Sequence, residues 1–516
     1  MTELNKENIC IGESSSAAFS QAFCETDIIV PDINPDISKV LQTDANAAII
    51  NKKCENGRIA VDGRADIVIL YLGDDKNVYS INSSQQFSHI IDSPETTDNM
   101  YPETEIDIEN VDFTVLNPRK VNVKVLMGID ANSVSDANVC LCTSLSADEP
   151  YEVLVKTINP YKTAGRATEQ ICIKERLEIP NGKPSADRIL RVDASIKDKK
   201  CSTAENKVIV DGILCVSTVY LSDIDGKIQI AEHEVPFTEV ISVNGTDESM
   251  DCCAKLCINK VYYKPEEDVD GDKRFIMLEC IITANVKACY GYQIDIIEDA
   301  YCTNHPVKIN RESTGVNKLA LENSTQISSK DVVTIDAENP EIAQIFNIIP
   351  HAYVGTSKIE NGVVTIDGII ESDIMYISED ESSPLNTYRH QQKFSYSTDV
   401  PEGNGDMICD VSIDIIHSSY TITLGREIDL RFVLEVNVKV LSEEKINYIT
   451  GIEKDEEQIE NPSKSYCIKI YFVKEGDDLW NIAKKYRVKK DVLMEINNIN
   501  ADSDRFDGRQ IMIPIK

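Results

Sequence analysis

The chain has 516 residues, 42% of them hydrophobic and 27% charged, which suits three to four globular domains and excludes wholesale disorder. Asp and Glu outnumber Lys and Arg by 87 to 52, and the formal net charge is −35 at pH 7. An acidic surface of this kind repels the phosphates of nucleic acids and of anionic membranes, so we expect neither as a partner of the bulk of the protein.

The N-terminal sequence MTELNKENICIGESSS contains no basic segment and no apolar stretch of the kind that directs secretion. No apolar run in the chain approaches the roughly 18 residues that a transmembrane helix needs. We therefore expect a cytoplasmic protein without membrane insertion.

Two landmarks recur three times along the chain. The first is a proline within similar segments at Val30–Leu41, Ile179–Leu190 and Ile335–Phe346. The second is an Asp-Gly pair whose Asp follows the proline by 27 residues. The prolines are Pro35, Pro184 and Pro340, and the glycines are Gly63, Gly212 and Gly368. Both landmarks shift by 149 and then by 156 residues, which predicts three homologous domains.

Each copy begins with the pattern of a short helix. A proline suits the first turn of a helix, and in copy one we predict a helix from Pro35 to about Gln42. Ile37, Val40 and Leu41 would then lie on one face of that helix.

A hairpin turn and a β-branched strand follow in each copy. The turn dipeptides are Asn56-Gly57, Asn206-Lys207 and Asn361-Gly362, of which Asn-Gly favours tight turns most strongly. The runs that follow, such as RIAVDGRADIVILYL, alternate partly with period two and predict strands with one buried face. The glycine after each Asp predicts a bulge or a close approach of the backbone. The alternative is a catalytic role for Asp62, Asp211 and Asp367, but no repeated His, Cys or second carboxylate accompanies them.

Each copy closes with another strand pair, and the whole pattern predicts antiparallel β-sandwich or barrel-like domains. We place these domains at residues 17–134, 168–291 and 324–445, with 135–168 and 304–324 as connecting segments. The predicted fold class is mainly β, with three tandem β-rich domains followed by a small βααβ domain. The copies resemble the SPOCS domain of spore-coat proteins from endospore-forming bacteria, and the resemblance rests on the proline segment followed by the Val-Asp-Gly or Ile-Asp-Gly strand.

Sixteen cysteines are scattered through the chain without the spacing of a metal site. The densest group comprises Cys252, Cys253, Cys257, Cys280 and Cys289, and it has neither paired Cys-x-x-Cys spacing nor a nearby His. The sequence therefore predicts reduced thiols that act as small hydrophobic side chains, with no bound metal.

The character of the chain changes after a polar stretch at 453–465, which we predict to be a solvated linker. Residues 466–516 hold ten Lys and Arg against eight Asp and Glu, whereas the preceding residues hold 42 against 79. The pattern is strand, helix, helix, strand. Asp478 is predicted to cap the helix LWNIAKKY, and a second helix spans about Lys490–Asn497.

This segment resembles the LysM domain over about 471–515. In that family, N-acetylglucosamine polymers lie in a groove between two loops, which correspond here to 476–479 and 498–502. The implied contact residues are Gly476, Asp477, Asp478, Leu479, Trp480, Asn498, Ile499 and Asn500. Leu479 is also a core candidate, and Trp480 is a contact only if it is exposed. The family usually has Ser or Thr where this chain has Asp478, so we expect weak glycan binding.

Three SPOCS-like repeats followed by LysM resemble the SipL-type spore-coat morphogenetic proteins of clostridia. The resemblance implies a non-enzymatic scaffold in the mother-cell cytoplasm that tethers the coat to the forespore surface. Its LysM domain would bind the coat basement-layer morphogenetic ATPase or another coat protein. The alternative is a peptidoglycan-binding protein of the cell wall or spore cortex. A wall hydrolase would need a catalytic domain, and the sequence has no HExxH, GxSxG or P-loop motif, so neither an enzyme nor a cofactor is expected.

Overall fold

The structure is a computed structural model that describes residues 3–380, 385–401, 406–455, 468–474, 476–499 and 508–514. Repeat 1 contains β1 (Glu3–Ile29), β2 (Ile37–Glu55), β3 (Arg58–Gly73), β4 (Val78–Asp92), β5 (Tyr101–Asn117) and β6 (Lys120–Ser146). Repeat 2 contains β7 (Tyr151–Ile158), β8 (Tyr161–Glu178), β9 (Ala186–Ala204), β10 (Lys207–Ser222), β11 (Ile228–Ser242), β12 (Asp251–Glu267), β13 (Lys273–Gly291) and β14 (Ile294–Cys302). Repeat 3 contains β15 (Val307–Thr334), β16 (Gln344–Glu360), β17 (Val363–Ile377), β18 (Leu385–Asp399), β19 (Met407–Leu424) and β20 (Glu427–Lys454). The C-terminal module contains β21 (Ile468–Phe472), α1 (Leu479–Tyr486), α2 (Lys490–Asn497) and β22 (Gln510–Pro514).

Each repeat is a sandwich of two three-stranded antiparallel sheets. In repeat 1 the sheets have the orders β2-β3-β4 and β1-β6-β5, and repeats 2 and 3 reproduce this arrangement. Period-two alternation gives each sheet one apolar face, and the two faces bury each other. Ile59 and Ile67 of β3 thus share a core with Val125 and Met127 of β6. The predicted mainly-β fold with a small βααβ module is confirmed.

The short helix predicted after Pro35 is wrong. Those residues begin β2, which pairs with β3, and the register shifts between Ile37 and Lys39 and again between Val40 and Gln42. Each shift marks an extra residue in the strand. Two bulges three residues apart convert period two into the three-and-four spacing of a helix, which explains the error.

The repeat landmarks occupy equivalent positions in all three sandwiches. The hydroxyl of a buried tyrosine donates to the carbonyl of the landmark proline: Tyr71 to Pro35 at 3.2 Å, Tyr220 to Pro184 at 3.0 Å and Tyr376 to Pro340 at 3.2 Å. An arginine that the sequence analysis missed binds the carbonyl of the residue before each proline: Arg119, Arg274 and Arg426, at 3.3, 3.2 and 2.7 Å. The proline therefore ends a turn that is fixed by the same two side chains in every repeat.

The landmark glycines accommodate a phenylalanine ring on the neighbouring strand. Gly63 pairs with Phe87, Gly212 with Phe237 and Gly368 with Phe394. A Cβ at these glycines would lie 2.3, 2.7 and 2.2 Å from the ring, so only glycine fits. The strand on the opposite side of each glycine from the phenylalanine, which is β2, β9 or β16, has a bulge beside the glycine. The predicted bulge and close approach are both confirmed.

Two of the three aspartates beside these glycines have cross-strand hydrogen-bond partners. Asp62 accepts a hydrogen bond from Ser88 at 2.7 Å, and Asp211 accepts one from Thr238 at 2.6 Å. Both are cross-strand pairs within a sheet. The geometry thus gives these two carboxylates a role in sheet pairing.

Equivalent residues of the three repeats meet in one shared cluster. Leu70, Val219 and Met375, which are separated by the repeat offsets, are all fully buried in one shared cluster. Ion pairs between repeats add to this contact, such as Arg191 with Asp44 at 2.6 Å. A cavity of about 2220 Å³ lies between other parts of the three repeats. Residues of all three repeats line it, and many of these are charged. The three repeats therefore pack into one body and are not independent domains joined by linkers.

A second contact among the three repeats is made by strand pairs that extend beyond the sandwiches. Ribbon 1 consists of residues 3–16 of β1 and 133–146 of β6, ribbon 2 of β7 and β14, and ribbon 3 of residues 307–319 of β15 and 441–454 of β20. Their apolar side chains form shared clusters that include Leu141, Ile296 and Ile446. The segments 135–168 and 304–324, predicted to be connections, are thus largely strands. These segments are polar on average, so the sequence does not indicate strands there. Some of their apolar side chains are buried against the other ribbons.

Candidate functional site

The C-terminal module folds around a compact core. Leu479, Ile482 and Ala483 of α1 pack against Leu493 of α2 and Ile513 of β22. The two strands pair antiparallel, and Leu493 is the fully buried position of α2. Both predicted helices are confirmed. The predicted linker at 453–465 lies outside the described residues except for its first three, two of which end β20.

Asp478 caps the N-terminus of α1, as predicted. Its Oδ1 accepts the backbone N–H of Asn481 at 2.6 Å, and its Oδ2 accepts the side-chain amide of the same residue at 2.6 Å. Its neighbour Asp477 accepts the backbone N–H of Lys474 and the hydroxyl of Tyr471, which lowers the pKa of Asp477. Both carboxylates therefore have internal donors that hold the loop in shape.

The predicted contact residues divide into two groups. Gly476, Asp478 and Asn498 are exposed, and Asp477 is half-buried, so this part of the two-loop surface is open to solvent. Leu479, Trp480 and Ile499 are buried. Asn500 and residues 501–502 lie outside the described residues.

Trp480 is buried against the body of the protein. Its ring meets Tyr301 of β14 edge-on, with ring centroids 5.0 Å apart, and only 8% of the residue is exposed. The indole N–H donates to Asp299 Oδ2 at 2.8 Å, and the Tyr301 hydroxyl donates to the carbonyl of Val488 at 2.7 Å. Trp480 was a contact candidate on condition of exposure, and that condition is not met here.

Asp299 is the centre of this docking contact. Lys484 donates to both of its oxygens, at 2.6 and 2.7 Å, and Arg311 forms an ion pair with Oδ1. Burial raises the pKa of this carboxyl, but the hydrogen bonds from Lys484, Trp480 and Arg311 outweigh burial, and the pKa is lowered. Asp299 is therefore held ionised, with a side chain only 9% exposed.

Sequence reasoning missed this dock, which we define as Asp299 and Tyr301 of ribbon 2 with Trp480 and Lys484 of α1. Asp299 and Trp480 are 181 residues apart, and no local pattern links them. One signal was available in retrospect, because Trp480 is the only tryptophan in the chain and lies on the same helix face as the core residues. A large apolar residue there needs a partner surface.

Comparison with known families assigns both parts of the chain. Residues 36–116, 185–266 and 341–423 match the family described as SipL, SPOCS domain. Residues 471–512 match the LysM domain. The chain contains three SPOCS domains and one LysM domain. The resemblance to SipL-type proteins is thereby confirmed, and no curated protein or solved structure matches the chain.

The SPOCS matches begin one residue after each landmark proline and span four of the six strands of a sandwich, β2 to β5 in repeat 1. SPOCS and LysM are families of non-catalytic domains, and this domain set is that of a sporulation coat-related protein. LysM as a family supports glycan binding. Within the described ranges, no helix has the length and apolar character needed to cross a membrane.

Proposed function

We propose that this protein is a non-enzymatic morphogenetic scaffold of the spore coat, with the SPOCS body as a platform and the LysM domain as the recruiting module. It acts in the mother-cell cytoplasm at the forespore surface. Its partner is the basement-layer morphogenetic ATPase or another coat protein. The observation that carries the proposal is the dock, because it holds the LysM domain in a fixed orientation on a large body made of three repeats.

The surface that the docked LysM domain leaves free suits a protein partner. Ile468, Ile470 and Phe472 alternate along β21 on one face, and Met512 pairs with Ile470 on β22. All four side chains are exposed, Phe472 by 62%. A few apolar anchors within a small patch usually supply most of the affinity of a protein interface.

A second candidate function is binding of wall or cortex glycan. The loop residues Gly476, Asp478 and Asn498 remain exposed in the docked domain, so the family groove is accessible as far as the structure describes it. A carboxylate at Asp478 places charge beside a neutral sugar, and its desolvation is costly. We therefore expect weak binding of chito-oligosaccharide.

The two functions are separated by comparing purified murein with the coat basement-layer protein as baits. Three proteins are compared: the full chain, a chain that ends at Pro462, and the full chain with Phe472→Ser. The scaffold proposal predicts capture by the coat protein and loss of capture in the truncated chain. Phe472→Ser should weaken it at least about tenfold, the effect of losing one interface anchor.

Asp478→Ser is the matched loop variant: its hydroxyl can still cap α1, so coat-protein capture should be unchanged, and loss of the charge should strengthen glycan binding, measured by calorimetry. Circular dichroism checks the fold of each variant. If the truncated chain captured the coat protein and localised normally in sporulating cells, the recruiting surface would lie in the SPOCS domains and the assignment to LysM would be wrong.

A further inference from the structure

Three side chains of metal-ligating types converge at the free end of ribbon 2. Cys302 is the last residue of β14, His305 lies in the turn that follows, and Glu149 lies in the turn before β7. His305 Nδ1 is 3.4 Å from Cys302 Sγ and 2.6 Å from Glu149 Oε2. The third side of the triangle, from Cys302 Sγ to Glu149 Oε2, is 3.6 Å.

These separations are close to those around one zinc ion. Zinc binds sulfur at about 2.3 Å and nitrogen or oxygen at about 2.0 to 2.2 Å, so tetrahedral ligands lie roughly 3.3 to 3.6 Å apart. The two distances from the sulfur already have these values. Only the His305–Glu149 separation must widen, by about 0.7 Å, and it is the direct ion pair that the two side chains form with each other.

The backbone around the triad is held in place from both turns. Cys302 pairs with Tyr151 across the ribbon, and the N–H of Thr303 donates to the carbonyl of Pro150 at 3.1 Å. Lys454 at the end of ribbon 3 binds Glu149 through Oε1 at 3.2 Å, which leaves Oε2 directed at the sulfur and the imidazole. Cys302 is buried, and the His305 side chain is 14% exposed.

We propose that Glu149, Cys302 and His305 form a zinc site, with water as the fourth ligand. A thiolate, an imidazole and a carboxylate together suit zinc among the common divalent ions. The thiol loses its proton to solvent as the Zn–S bond forms. The ion would join the two turns of ribbon 2, directly after the residue, Tyr301, that contacts the LysM domain.

This site departs from the expectation of no metal drawn from the sequence. That expectation considered the cysteine-rich group around Cys252, whereas the ligands here are Cys302-x-x-His305 and a glutamate 153 residues earlier. The Cys-x-x-His spacing was the available signal. The competing interpretation is a hydrogen-bonded cluster that binds no metal.

Cobalt and zinc titration of the full-length protein, after removal of metal with a chelator, decides between the two. We expect one equivalent of cobalt with a thiolate-to-cobalt charge-transfer band, its displacement by zinc, and a rise in melting temperature with zinc. Cys302→Ser and His305→Gln should each weaken binding at least about tenfold, since loss of a ligand costs no less than loss of an outer-shell partner. Cys280→Ser, a buried thiol of the same repeat, is the control and should bind as the unaltered chain does.

Failure of the full chain to bind stoichiometric metal would overturn the proposal, as would a charge-transfer band that persists in Cys302→Ser. Circular dichroism of the metal-free variants shows whether they fold. His305→Gln provides the second test should Cys302→Ser be unfolded, because its side chain is at the edge of the site rather than in the core.

Discussion

Ribbons 1 and 3 differ from ribbon 2 although all three belong to equivalent repeats. Strands β1 and β6 run through 27 residues each, and β15 and β20 through 28 each, so ribbons 1 and 3 continue directly into their sandwiches. Ribbon 2 is separated from its sandwich at Asn159-Pro160 and at Tyr292-Gln293. Proline has no N–H to donate to a ladder, which interrupts pairing at that point.

The ends of the ribbons carry the same backbone feature with different side chains. Each has a bulge after an equivalent buried residue, Cys142, Ile297 and Ile449, and these three pack together. The residue just beyond the bulge is Ser144, Asp299 and Gly451 in ribbons 1, 2 and 3. Only ribbon 2 has a carboxylate at this position, and within the described part of the chain this carboxylate binds Trp480 and Lys484 of the LysM domain. Equivalent repeats thus share their backbone geometry, and a single side chain at one position makes ribbon 2 the docking site.

The largest effect is expected from removing this carboxylate. Asp299→Ala leaves Lys484 and the Trp480 N–H without their partner and should weaken docking by about 3 kcal/mol, the lower end for a buried pair because Lys484 and Arg311 are partly exposed. The sole tryptophan reports the outcome, since undocking shifts Trp480 emission to the red and increases quenching by acrylamide. Ser144→Ala, the equivalent change in ribbon 1, is the control. Unchanged emission in Asp299→Ala would contradict the assignment of the dock.

Acidification should release the LysM domain through the same group. A carboxyl whose pKa is lowered by folding contributes stability that is present above its unfolded pKa, about 3.9, and is lost as pH falls through the lower folded value. We expect Trp480 emission to shift to the red in that range in the unaltered protein. In Asp299→Asn this titration should be absent. Identical titrations of the two proteins would show that another group controls the transition.

The shared part of the repeats is tested at the landmark glycines. Gly63→Ala, Gly212→Ala and Gly368→Ala should each lower stability by about 1 to 3 kcal/mol, because the added methyl group meets a phenylalanine ring. Gly291→Ala is the control, since its nearest contact would be at an ordinary 3.8 Å. The measurement is the urea midpoint by circular dichroism. If one of the three variants had an unchanged urea midpoint, the glycine would not have the same structural role in all three repeats.

The smallest effect is expected from Tyr301→Phe. The ring contact with Trp480 stays, and only the hydrogen bond to the Val488 carbonyl is lost, which should weaken docking by about 1 kcal/mol. Tyr448→Phe removes a hydroxyl from ribbon 3 and should leave Trp480 quenching unchanged. If both variants increased Trp480 quenching equally, docking of the LysM domain would not depend specifically on ribbon 2.

Spacing and local periodicity in the sequence are sufficient to predict several elements of the fold. The repeat landmarks located three equivalent sandwiches, and period two identified their strands. The cap at Asp478 and the apolar face of α1 located the first helix of the LysM domain. These features depend on residues that are close together in the chain, so they can be predicted without knowledge of the tertiary contacts. The same reliance on local pattern produced the wrong helix after Pro35, where bulges imitate helical spacing.

Contacts between distant segments could be identified only in the folded structure. The burial of Trp480 depends on Asp299 and Tyr301, and the triad of Glu149, Cys302 and His305 depends on the pairing of β7 with β14. Neither the residues around Trp480 nor the Cys302-x-x-His305 spacing indicates the distant partner. The packing of the sandwiches and ribbons determines which side chains more than 150 residues apart come into contact. The hydrophobic effect is not directional, so an apolar residue in the sequence does not show which surface will bury it.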